Sequence, residues 1–122
     1  MRSNRPVALV ILAFVFAILA FAGGRGFRTQ NLLADHYAKH GHEFGKITID
    51  QYLHMAQQLR DARAGKNILE AVRSDKGGSK FDVKKGWFVA YDPDGTIRTF
   101  FVPNDGIRYF ERQKRNYARP PE

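Results

Sequence analysis

Trp87-Phe88-Val89-Ala90-Tyr91-Asp92-Pro93-Asp94-Gly95-Thr96-Ile97-Arg98-Thr99-Phe100-Phe101-Val102 reads as two strands and the turn between them. Both flanks are rich in aromatic and β-branched residues, which suit a pleated, half-buried surface. The centre, Asp92-Pro93-Asp94-Gly95, has a turn mechanism: proline presets φ, and glycine accepts a positive φ. Strands are therefore expected over 87–91 and 96–102. Period-two alternation in the second puts Ile97, Thr99 and Phe101 on one face and Arg98 and Phe100 on the other. Pro103-Asn104-Asp105-Gly106 then ends that strand. A further strand is expected before the hairpin over 81–83, and a last one over 107–110. The polar stretch 75–80 reads as a loop, and 68–73 as a strand or a helical turn.

Upstream the period changes. Thr48-Ile49-Asp50-Gln51 matches a capping box, with Gln51 three residues after Thr48. Ile49, Tyr52, Leu53, Ala56 and Leu59 follow at helical spacing, so a helix is expected over 49–64, stopped by Gly65. An earlier helix is expected over 32–40, with Asn31 as N-cap, Leu32, Leu33 and Tyr37 on its buried side, and Gly41 as the residue that stops it. Two helices followed by a small antiparallel sheet define an α+β domain.

The chain opens Met1-Arg2-Ser3-Asn4-Arg5, followed by a run without charge or polar side chain from Val7 to Phe21 and then Ala22-Gly23-Gly24. A basic start, a short apolar core and small residues at a cleavage position are the layout of a secretory signal. The expectation is a signal peptide over 1–22 and a secreted or periplasmic protein. The alternative is a membrane anchor over 7–22 with its arginines retained inside. Residues 23–30 read as a flexible leader, 31–113 as one small domain and 114–122 as a basic flexible tail. The chain has no cysteine, so no disulfide holds an exported domain together. Packing must do so, and 10 Phe, 5 Tyr and 1 Trp are available. The formal net charge of +8 favours a polyanionic partner: nucleic acid, an anionic membrane or an acidic protein.

The chemistry concentrates in Asp35-His36-Tyr37-Ala38-Lys39-His40-Gly41-His42-Glu43-Phe44-Gly45. On a helix, His36, Lys39 and His40 stand at i, i+3 and i+4 and share a face. An imidazole moves a proton near neutral pH, and a lysine supplies fixed positive charge. That combination suits a phosphodiester, where a hydroxyl loses a proton while charge builds on phosphoryl oxygens. The bland alternative is a surface helix that happens to be rich in histidine. A zinc site on His36 and His40, with Glu43 as third ligand, is a weaker alternative. Tyr37 stands where a His-Glu-x-x-His protease needs its glutamate. Thr99, if it faces a cleft, can donate a hydrogen bond to a phosphate. Arg73, Arg98, Lys84 and Lys85 are candidate phosphate contacts. Trp87, Phe88 and Tyr91 could stack a base or simply fill the core.

Taken in order, these motifs resemble the metal-independent RNase toxin domains of the barnase, EndoU, colicin D and RelE-like superfamily. Such domains sit at the C-terminus of bacterial polymorphic and contact-dependent inhibition toxins. The resemblance is carried by Asp35-His36, Lys39-His40-Gly41, Glu43-Phe44-Gly45, the helix of Tyr52-Leu53 and Ala56, and Asn67 to Arg73. It continues through Asp94 to Phe101, Pro103 and Tyr109-Phe110, and so spans residues 31–113. His42 lies outside the pattern, and Phe100 stands where relatives often carry a tyrosine. The resemblance implies a barnase-like fold, a catalytic histidine at His36 or His40, a phosphate-stabilising Lys39, a basic contact at Arg73, and Thr99 as a polar partner across the cleft. It also implies an RNA substrate such as tRNA, a cyclic phosphate product, no metal or other cofactor, a monomer, and an acidic immunity protein as inhibitor. The competing reading is an inactive exported binding module for a polyanion, or a small membrane-anchored envelope protein.

Overall fold

The computed structural model describes residues 24–120. The expected signal segment over 1–22 lies outside them. In order the elements are α1 (Gln30–His40), a 3₁₀ turn (Gly41–Phe44), α2 (Ile49–Asp61), β1 (Ile68–Val72), β2 (Gly78–Asp82), β3 (Trp87–Tyr91), β4 (Ile97–Phe101) and α3 (Ile107–Ala118). The four strands form an antiparallel meander in the order β1-β2-β3-β4. The α+β class, with two helices ahead of an antiparallel sheet, is as the sequence indicates. A C-terminal helix is added to it.

The sheet has a core on each face. On one, Leu33 of α1 and Tyr52, Ala56 and Leu59 of α2 pack on Val89, Ile97 and Phe100. On the other, Phe110 of α3 packs on Ala71, Phe81, Phe88 and Ala90. Phe100 is fully buried. It stacks on Phe44 with centroids 4.4 Å apart, and its carbonyl accepts the Tyr52 hydroxyl. Burying a side chain of this size contributes about 1.5–3 kcal/mol. Phe88 is equally buried, and Trp87 packs edge-on against Phe44 and Phe100. These aromatics therefore serve the core, the blander of the two readings.

The capping box at α2 forms in full. Gln51 N donates to Thr48 Oγ1 at 3.1 Å, and Thr48 N donates to Gln51 Oε1 at 2.8 Å. The helix ends at Asp61 rather than 64. Lys80 supplies the reason: its buried ammonium donates to the carbonyls of Arg60 and Ala62 at 2.5 and 2.6 Å, satisfying acceptors a helix end leaves open. α1 starts two residues earlier than expected, with Thr29 rather than Asn31 as N-cap; Thr29 Oγ1 accepts from Leu32 N at 3.1 Å. Gly41 does not stop the helix through a left-handed conformation. Its φ is −54° and the chain continues into the 3₁₀ turn. Glycine is needed there for space, since a Cβ would lie 2.7 Å from the Tyr37 ring. That ring cannot retreat freely, because its hydroxyl donates to the Ile47 carbonyl at 2.6 Å.

The C-terminal half departs further from expectation. The polar loop over 75–80 is shorter, because β2 already begins at Gly78. Ser79 and Lys80 are buried between β1 and β3, so tertiary context overrides their polarity. Val83, expected in a strand, lies in the exposed turn after β2. The expected strand over 107–110 and the expected basic tail beyond it are one helix, α3. Phe110, Gln113 and Tyr117 form its inner row at helical spacing. The segment expected as a flexible leader is laid along β4 from Gly24 onward. Phe27 bridges Ile97 in parallel, and Ile97 N donates to the Gly26 carbonyl at 2.9 Å. Gln57 and Arg60 hold the carbonyls before it. No helix among the described residues is long and apolar enough to cross a membrane.

Alternation in β4 also breaks. Tyr91 pairs with Ile97 and Ala90 with Thr99, so Arg98 is an extra residue on the edge strand, a β-bulge. Ile97 therefore joins Phe100 on the α2 side. Thr99 shares its face with Ala90, on the α3 side.

Candidate active site

α1 runs beside β4, so its histidines stand along the sheet edge. His36 packs its ring on Phe27 at 4.9 Å, and His40 packs on Phe101 at 5.3 Å. The two imidazoles are 6.1 Å apart, as i, i+4 neighbours should be. Lys39 lies between them in sequence and is exposed. Thr99 sits between Ile97, at the His36 end, and Phe101, at the His40 end.

His36 opens onto a small cleft of about 180 Å³, bounded by Phe27, Arg28, Asp92, Thr96 and Arg98. Its Nδ1 is buried and has no hydrogen-bond partner among the described residues. An unpaired buried polar atom is costly, which marks it as a group to be explained. Burial holds the His36 pKa below its ordinary 6.5. Repulsion from His40 and Lys39 adds to that, and Asp35 opposes it. His40 is held differently. Its Nδ1 lies 2.8 Å from Glu43 Oε2, and the other Glu43 oxygen accepts Val102 N at 2.8 Å. A carboxylate only accepts, so Nδ1 donates and Nε2 is left for a substrate. Glu43 thus fixes the ring to the end of β4.

Asp92 organises the positive charge beside His36. Arg28 approaches one of its oxygens at 3.4 Å, and Arg98 Nε bonds the other at 2.5 Å. Arg73 stands behind them at 3.8 Å. Arg73 is already engaged, donating to Asp75 and to the Tyr91 carbonyl at 3.2 and 3.1 Å and lying over the Tyr117 ring. Arg28 and Arg98 on the single carboxylate of Asp92 leave the cleft cationic, while Arg73 is balanced by Asp75.

His36, Lys39, His40 and Arg98 are thus gathered at one edge of the sheet. Thr99 borders them from the other face of β4. Arg73 lies behind Asp92. Lys84 is in the turn between β2 and β3, at the end of β3 away from Asp92. The structure also brings Glu43, Arg28 and Asp92 beside the histidines, an arrangement sequence reasoning missed. The His40–Glu43 pair had a local signal, its i, i+3 spacing. Arg28 and Asp92 had none, because they meet 64 residues apart. No group of three or more histidine, aspartate or glutamate side chains among the described residues could hold a metal ion. No protein-family model and no curated protein matches the chain.

Proposed function

We propose that the protein is a metal-independent endoribonuclease, as its resemblance to the barnase-like RNase toxin domains suggests. The observation that carries this reading is the pair of differently held imidazoles at one edge of the sheet, 6.1 Å apart, of which His36 opens onto an arginine-lined cleft. Hydrogen-bond reach for proton transfer is about 2.6–3.2 Å, so two rings 6.1 Å apart can address two oxygens of one phosphodiester.

His36, kept neutral by its surroundings, accepts the proton of a ribose 2′-hydroxyl. The 2′-oxygen forms a bond to the adjacent phosphorus, and the bond from phosphorus to the 5′-oxygen breaks. His40 gives its Nε2 proton to that leaving oxygen, while Glu43 offsets the charge of its imidazolium. The products are a 2′,3′-cyclic phosphate and a 5′-hydroxyl. Lys39, Arg28 and Arg98 stabilise charge on the phosphoryl oxygens. Thr99, on the α3 side of β4, lies outside the cleft that takes the phosphate and has no part in this step. Arg73 is a positioning residue, acting through Asp92, and Lys84 contacts the strand only at a distance from the scissile bond. An acidic immunity protein fits the same cleft by charge, and export would separate the enzyme from the RNA of its producer.

The test is cleavage of a tRNA pool by the purified protein in EDTA. Wild type is expected to cut. His36→Ala and His40→Ala are each expected to lower the rate by 10²-fold or more, the usual scale for losing a general acid or base. Undiminished cutting by both variants refutes the assignment. Binding without any cutting by wild type favours the inactive binding module.

A further inference from the structure

The outer face of α3 is unlike the rest of the surface. From Arg108 to Arg119 the helix region carries Arg108, Arg112, Lys114, Arg115 and Arg119 against a single acid, Glu111. Arg108, Arg112, Arg115 and Arg119 recur at i, i+4, i+7 and i+11, which is one helical stripe. All four are exposed, opposite the inner row of Phe110, Gln113 and Tyr117. Fold stability does not call for this stripe. Only Arg112 has an ion-pair partner among the described residues, Asp105.

The stripe is joined to the candidate active site by rings. His40 meets Phe101 at 5.3 Å, Phe101 meets Tyr109 at 5.1 Å, and the Arg112 guanidinium lies 5.6 Å over the Tyr109 ring. Phe101 and Tyr109 are both half-buried, so one edge of this ladder reaches solvent. The two rings pack edge-on at 80° against the core, so they offer edges beside the cations, and the phosphates of a single strand pair with the charge. The path ends at the candidate active site, which makes an RNA strand the polyanion that fits it.

We propose that α3 is an extended RNA-binding track that holds the strand leading away from the scissile phosphate. This rests on the endoribonuclease reading for the identity of the polyanion. Arg108 to Arg119 spans about 16 Å of helix at about 1.5 Å per residue. At roughly 3.4 Å per stacked nucleotide on one strand, that length matches four or five nucleotides. The substrate class is therefore an RNA with an unpaired segment beside the cut, not a dinucleotide alone.

The test measures binding, so that it is separable from cleavage. The full chain carrying His36→Ala and His40→Ala is titrated with a fluorescent single-stranded 12-nucleotide RNA over a range of salt. Replacing Arg108, Arg115 and Arg119 together by Gln should flatten the plot of log affinity against log salt by about 2, since each phosphate contact on a single strand contributes about 0.7. The same three positions changed to Lys should keep the slope. Arg63→Gln, Lys66→Gln and Lys76→Gln together remove equal charge elsewhere and should also keep it. An unchanged slope in the first variant, or an equal loss in the Arg63, Lys66 and Lys76 variant, overturns the track. So does displacement of the RNA by polyglutamate at equal charge concentration, which would assign the face to an acidic protein. A flattened slope in a protein whose wild type cuts no RNA would keep the track and remove only the catalytic reading.

Discussion

His36 is held neutral where a solvated imidazole would be partly protonated. Its folded pKa lies below 6.5, first through burial and then through His40 and Lys39. The unfolded chain takes up a proton near pH 6.5, and the folded chain takes it only at lower pH. Between those values the unfolded state binds more protons, so stability rises with pH across the window and is lost as pH falls. Wild type should therefore lose more stability than His36→Gln between pH 7.5 and 5.5 in urea denaturation. Parallel losses would show that His36 is not constrained in this way. The histidine cluster itself was legible from spacing alone, because i and i+4 meet on any helix. What each histidine does was not. His36 depends on its packing against Phe27 and its burial in the cleft, and His40 on Phe101 and on Glu43, which Val102 N tethers to the end of β4.

At the scale of elements, local chemistry was read well where it was strong. The capping box at α2 and the Asp92-Pro93-Asp94-Gly95 turn formed as their residues dictate, the latter with Gly95 at φ +91°. Thr48→Ala should lower stability by about 1 kcal/mol, the usual cost of losing such a cap. Chemical denaturation reads this directly, and no change in midpoint would mean that the cap contributes nothing. Reading failed where partners are distant or the period is short. Tyr109-Phe110 looks like a strand over four residues, and its helical row appears only when Gln113 and Tyr117 are included. The polar Gly78-Ser79-Lys80 stretch becomes strand because two neighbours pair with it. The bulge at Arg98 was invisible in sequence. It turns Ile97 inward and leaves Thr99 on the opposite face.

For the whole molecule, the sheet separates two tasks. One face, under α1 and α2, anchors the edge strand and the histidines that stand beside it. The other is closed by α3, whose outward stripe adds to the net charge of +8. The two meet at Phe101 and Tyr109, so substrate contact and catalysis would share one edge of the domain. In the proposed reaction a ribose 2′-oxygen attacks the neighbouring phosphorus. The most direct measurement is mass spectrometry of products from a deoxyribonucleotide strand containing one ribonucleotide, incubated with the protein in EDTA. A single cut is expected, 3′ to the ribose, leaving a 2′,3′-cyclic phosphate and a 5′-hydroxyl. Cutting at deoxyribose positions, or ends carrying a 5′-phosphate, would contradict it.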